Sequence, residues 1–130
     1  MPIIIDGISF ENLLCARTKF EQFRRHLSTE QEKAGAIKAF EYTFELSWKI
    51  MKRIIEQQGD TPFVISGSRD IIRVAAYIHL IDEPRKWFDF IDARNITSHT
   101  YNEADADAVV AVFDTFSEEL SKLLKKIGAI

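Results

Sequence analysis

Arg94 and His99, with Asn95 beside the first and Tyr101 two positions past the second, lie in the stretch Asp92-Ala93-Arg94-Asn95-Ile96-Thr97-Ser98-His99-Thr100-Tyr101-Asn102-Glu103. Arginine is a permanent cation whose forked donors suit phosphate oxygens, and histidine exchanges a proton near neutral pH. Together they could act on a phosphodiester without a metal. On one continuous helix, five steps of about 100° would set Arg94 and His99 roughly 140° apart, and they would not share a face. Either the helix ends near Ile96 and Thr97, whose β-branched side chains are mediocre helix formers, or the two side chains meet partners across a subunit interface.

The plainer reading of the same residues is that Arg94 pairs with Asp92 or Glu45 and His99 caps a helix. Glu41, Glu45 and Lys49 stand at helical i, i+4 spacing, which suits an ordinary surface ion pair; a carboxylate between large aromatics could instead orient Arg94. Arg73 and His79 have a similar form, but apolar helix separates them and His79 precedes a turn. We read His79 as structural, and His26, beside Arg24 and Arg25, likewise. No Glu-x-x-His, Gly-rich phosphate loop, Gly-x-Ser-x-Gly elbow or Cys pair occurs, so neither a metal nor a cofactor is expected.

With 130 residues, 46% hydrophobic and 12% aromatic, the chain is sized for one domain, residues 1–130, with a real core. A net charge of −3 argues against a broad basic surface, so any RNA or nucleotide contact must be local. The lone Cys15 fits a reducing compartment and is expected as a small core residue. No transmembrane run is seen, and Met1 to Asp6 is too short and lacks the basic start of an export signal, so a cytoplasmic protein is expected.

The apolar spacing predicts about five helices. Asp6 or Ser9 can cap the first, whose apolar line is Phe10, Leu13, Ala16, Phe20, Phe23 and Leu27. Thr29 to Glu32 has the form of a capping box for a long second helix along Ile37, Phe40, Phe44, Trp48, Met51 and Ile55, which Gly59 and Pro62 stop. Phe63 to Ile65 reads as a packed linker. Ser66 to Ser68 offers caps for a third helix through Ile71 to Ile78, and Pro84 suits the first turn of a fourth that carries Trp87, Phe88, Phe90 and Ile91 inward. Asn102 can cap one last helix along Val109, Phe113, Phe116, Leu120, Leu123 and Ile127, closed by Gly128. The architecture is all-α, an up-and-down four-helix-bundle-like domain.

Phe40-Glu41-x-x-x-Glu45-Leu46-x-Trp48-Lys49, Ser68-Arg69-Asp70-Ile71-Ile72-Arg73 and Arg94-Asn95-x-x-x-His99-x-Tyr101 resemble the nucleotidyltransferase substrate-binding proteins, a branch of the HEPN superfamily. The resemblance runs from Phe10 to about Leu124. It implies a helical bundle that forms a homodimer and pairs with a separate minimal nucleotidyltransferase, as in toxin-antitoxin systems. It further implies a metal-independent ribonuclease using Arg94 and His99, with Asn95 positioning one or the other, and neutralised by attachment of AMP to Tyr101. Glu45 and Asp92 would support Arg94. Because the branch is named for substrate binding, the alternative is a non-catalytic subunit that presents a nucleotide, or its own Tyr101, to the transferase. A third reading is a helical dimer whose polar stretch is only a subunit contact. Gly67-Ser68-Arg69 stands where many members read Ser-Pro-Arg, which touches only the start of the third helix.

Overall fold

Thr29 opens the element against which the others are laid. Its hydroxyl accepts the Glu32 N–H at 3.0 Å while the Glu32 carboxylate accepts the Thr29 N–H at 2.9 Å, so two N–H groups that helix geometry leaves unpaired are satisfied. Helix α2 then runs Glu30–Gln57 and stops at Gly59, whose φ of +91° is the left-handed conformation expected there. The computed structural model describes residues 7–59, 66–98 and 102–130. The expected cap at Asp6, the stop at Pro62 and the linker Phe63 to Ile65 lie outside them.

Packed with α2 are α1 (Glu11–Phe23), α3 (Ser68–Tyr77), α4 (Pro84–Thr97), α5 (Glu103–Val110) and α6 (Phe113–Lys126). No strand occurs among the described residues, so the architecture is all-α as expected. Local chemistry sets most boundaries. Pro84 is in the first turn of α4, where its missing N–H costs nothing. Asn102 Oδ1 accepts the Asp105 N–H at 2.9 Å, and Gly128 follows α6 at φ +74°. Among the described residues no helix is long and apolar enough to cross a membrane.

Four expectations need correction. The last helix is divided: at Ala111 and Val112 the Val112 N–H turns to the Val109 carbonyl three residues back, where Val109, Val110 and Val112 crowd β-branched side chains together. Helix α1 ends at Phe23, which is 43% exposed, and Leu27 falls in the irregular connection to α2. Cys15 is exposed; it is two residues from Leu13, about 200° around the helix, while Leu13, Ala16 and Phe20 form the buried line. Finally, no serine side chain caps α3. Its cap residue is Gly67, and Asp70 reaches back to accept the Ser66 N–H and hydroxyl at 3.1 and 2.7 Å.

The centre of the core is aromatic. Phe116 on α6 meets Phe20, Phe40, Phe44, Trp87 and Phe90 at ring separations of 5.0 to 6.2 Å, mostly edge to face. One ring thus touches α1, α2 and α4 at once. Outside this core, Glu21 ties α1 to α6, accepting the Ser117 hydroxyl and the Arg24 guanidinium, and Arg24 also reaches Asp114. Glu119, only 3% exposed, faces Lys122 at 3.0 Å and Lys86 at 3.8 Å, a buried carboxylate balanced by two cations.

His79 is the one non-glycine residue with positive φ (+63°) among those described. Its N–H bonds the Ala76 carbonyl and the Leu80 N–H the Ala75 carbonyl, at 3.1 and 2.8 Å, the Schellman closure that usually takes glycine. Its expected role as a structural residue at the turn is therefore met through its backbone. His79→Gly should raise the unfolding free energy by about 0.5–1 kcal/mol by relieving the left-handed strain, measured by thermal or urea denaturation. A second test concerns pH. Burial raises the Glu21 pKa, but the Ser117 hydroxyl and Arg24 outweigh it, so the carboxyl lies below its ordinary 4.5. A lowered folded-state pKa stabilises the fold above the unfolded value, and that stability fades as pH falls. Glu21→Gln should therefore be less stable than wild type at neutral pH, and the gap should close in urea melts taken towards about pH 3.

Candidate functional site

Arg94 stands seven residues after Trp87 and three after Ile91, both buried, so it continues the inward line of α4 at the C-terminal end. A guanidinium there must find a carboxylate or lose its hydration without return. Glu45, one residue after the core ring Phe44, supplies it. Arg94 Nε donates to Glu45 Oε1 at 3.0 Å, and both side chains are 28% exposed. Among the described residues the terminal nitrogens of Arg94 hold no hydrogen bond. The guanidinium is held through its inner nitrogen, and among the described residues its two outer nitrogens stay unbonded, a geometry that suits the paired oxygens of a phosphate.

Helix α4 ends at Thr97, the first of the two options left open by the spacing. Thr97 Oγ1 donates to the Arg94 carbonyl at 2.6 Å and Ser98 Oγ to the Asn95 carbonyl at 2.7 Å, so hydroxyls take carbonyls of the last turn. His99, Thr100 and Tyr101 lie outside the described residues. The chain resumes at Asn102, the cap of α5.

Asn95 is exposed and borders a recess of about 380 Å³ shared with Ser66, Ser68, Arg69 and Asp70 at the start of α3. The Ser66 hydroxyl and N–H hold the Asp70 carboxyl below its ordinary range. Asp92 pairs with Arg69, and the Arg69 and Arg73 guanidinium groups lie 5.5 and 5.6 Å from the Phe88 ring centre. Of the two acids expected beside Arg94, Glu45 is therefore at hand, whereas Asp92 fastens α4 to α3. Glu45 does not form the surface pair that its spacing to Lys49 allows. Lys49 sits 6.0 Å from the centre of the Trp48 ring, and Glu41 pairs with Lys38. Sequence reasoning missed Trp48 at the site: its Nε1 donates to Glu45 Oε2 at 3.2 Å. The signal was its place three residues after Glu45. No group of three His, Cys, Asp or Glu side chains able to hold a metal occurs among the described residues.

The chain is thus a small all-α protein in which helix α4 ends with an arginine braced by a carboxylate, just ahead of a His-x-Tyr segment of the sequence. Residues 9–129 match the family described as nucleotidyltransferase substrate binding protein like, and the chain belongs to that family. It is 45% identical over 96 residues to the probable ribonuclease HepT of Haemophilus influenzae, a match that covers 72% of this chain and 66% of that protein, just under two thirds of its length. The fold is shared with HI0074 of Haemophilus influenzae, at TM-score 0.80 and 36% identity over 92% of this chain and 99% of that one. That structure is described as revealing the fold of a substrate-binding domain of a nucleotidyltransferase. A protein of Thermus thermophilus has the same fold at TM-score 0.77 and 27% identity, covering 88% of this chain and 98% of its own.

The Glu45 and Arg94 pair is half-sheltered, so a double-mutant cycle on Glu45→Ala and Arg94→Ala should give a coupling of about 1 kcal/mol in urea denaturation. A coupling near zero would mean that the contact adds nothing to the fold.

Proposed function

We propose that this chain is the HEPN-type subunit of a two-component system and a metal-independent endoribonuclease, paired with a separate minimal nucleotidyltransferase that silences it. The observation that carries the reading is Arg94 at the end of the helix that leads into His99 and Tyr101, anchored by Glu45 through Nε, its outer nitrogens unbonded among the described residues. Likeness to a probable ribonuclease supports the same chemistry.

RNA brings its own nucleophile. The 2′-hydroxyl oxygen bonds to phosphorus, its proton passes to a base, and the bond to the 5′-oxygen breaks with a proton delivered to that oxygen, leaving a 2′,3′-cyclic phosphate and a 5′-hydroxyl. In this reading His99 moves a proton as general acid or base, and Arg94 stabilises the charge gathered on the non-bridging oxygens. Asn95 orients one or the other. A homodimer would bring two such sets to a shared cleft. Tyr101, two residues from His99, would receive AMP, whose bulk and negative charge beside the site would exclude RNA.

The second reading, a non-catalytic subunit that binds a nucleotide for the transferase, is favoured by the family description and by that of HI0074. In it Arg94 and His99 grip a phosphate and cleave nothing. One experiment separates the two. Wild type should cleave single-stranded RNA in the presence of EDTA, His99→Ala and Arg94→Ala should lose at least about a hundredfold, and wild type treated with the transferase and ATP should gain AMP on Tyr101 by mass spectrometry and stop cutting. No cleavage by wild type, or equal cleavage by His99→Ala, removes the ribonuclease reading.

A further inference from the structure

The two oxygens of Glu45 have different partners, and the second has no place in the chemistry described so far. Oε1 accepts from Arg94 Nε at 3.0 Å, and Oε2 accepts from the indole Nε1 of Trp48 at 3.2 Å. A glutamate has three side-chain torsions, and a single contact to a guanidinium leaves its carboxylate free to turn about the last of them. A second donor, three residues on along the same helix, removes that freedom. Trp48 can serve as a fixed post because its ring packs against the buried core and its helical neighbours Phe44 and Met51 are core residues, 1% and 0% exposed.

We propose that Trp48 is a positioning residue for Arg94: the indole N–H pins the Glu45 carboxylate so that Arg94 is held through Nε and its guanidinium plane is fixed for a phosphate. The consequence for the reaction rests on the ribonuclease reading, whereas the effect on the guanidinium does not. Arginine suits such a bracket, because its planar donor set is oriented as a rigid whole once one edge is fixed.

Replacing tryptophan by benzothienylalanine tests this without disturbing packing, since sulfur takes the place of the ring N–H in a side chain of nearly the same shape. Only one other tryptophan, Trp87, is affected, and its Nε1 has no hydrogen-bond partner among the described residues, so a single hydrogen bond is deleted. Trp48→Phe is the genetic counterpart. In protein labelled with nitrogen-15, the Arg94 Nε–H resonance, assigned by its loss in Arg94→Lys, should exchange with water about tenfold faster in the analogue than in wild type. The kcat for RNA should fall about tenfold with KM within about twofold, while the thermal midpoint holds. An unchanged Nε–H exchange rate overturns the proposal whether or not RNA is cut. So does an unchanged kcat in the analogue where the wild type does cleave. If wild type fails to cleave while the exchange rate rises in the analogue, the ribonuclease reading falls and the role of Trp48 in holding Arg94 stands.

Discussion

The position of Phe116 is the constraint from which the site follows. Its ring lies within 5.0 to 6.2 Å of rings on α1, α2 and α4, and edge-to-face aromatic contacts add directional preference to the burial of about 150 Å² or more per ring. Phe44 and Trp87, themselves 6.4 Å apart, are thereby set in register across the α2 and α4 pair. Glu45 follows Phe44 by one residue, and Arg94 follows Trp87 by two helical turns on the inward line. A slip of one helical turn between these helices would move a cation by about 5.4 Å relative to its carboxylate and strand both charges half-buried. Core packing and ion pair therefore specify the same register. The aromatic contacts are the stronger specification, because a partly exposed ion pair contributes only on the order of 1 kcal/mol.

The features legible in the sequence were those written locally. A capping box needs only Thr29 and Glu32, a left-handed stop needs only Gly59, and Pro84 and Asn102 mark helix starts through their own backbone and side-chain chemistry. What escaped had its cause elsewhere in the fold or in a choice between equal options. A three-to-four apolar pattern places Cys15 within reach of a wide stripe, and only the position of α2 decides that Leu13, Ala16 and Phe20 are covered and Cys15 is not. The break at Ala111 and Val112 preserves the 4, 3, 4 spacing of Val109, Phe113, Phe116 and Leu120, so periodicity is blind to it. At His79 the chain adopts a conformation that its side chain does not advertise.

The site was legible by half. Glu45 and Asp92 were equally plausible partners for Arg94, and sequence distance favoured neither, because the decision lies in which helix faces α4 on each side. Arg94 points towards α2 and meets Glu45; Asp92, two residues earlier and about 200° around the helix, meets Arg69 on α3. Trp48 was placed on the apolar seam and is half-buried there, but its indole N–H also serves a carboxylate. Tryptophan at the edge of a core combines an apolar body with one donor, and a reading that counts it only as apolar surface loses the donor.

The pairing of Arg94 with Glu45 also bears on what the site would be good at. A guanidinium whose charge is balanced by a neighbouring carboxylate exerts a weaker pull on a distant phosphate than a bare arginine, and a chain with net charge −3 has no broad field to compensate. Tight capture of RNA in its ground state is therefore not what this arrangement favours. The N–H groups on the two outer nitrogens of an oriented guanidinium would instead act at contact distance, where their value grows with the charge they meet. In the proposed reaction the phosphodiester carries one negative charge, and the five-coordinate species formed by 2′-oxygen attack carries nearly two. An oriented, locally neutral pair discriminates between these by hydrogen-bond strength, and interactions that strengthen only as the reaction proceeds are the ones that accelerate it. In the proposed reaction Glu45 would thus cost affinity for the substrate and contribute direction, which is the exchange that differential stabilisation of a transition state requires.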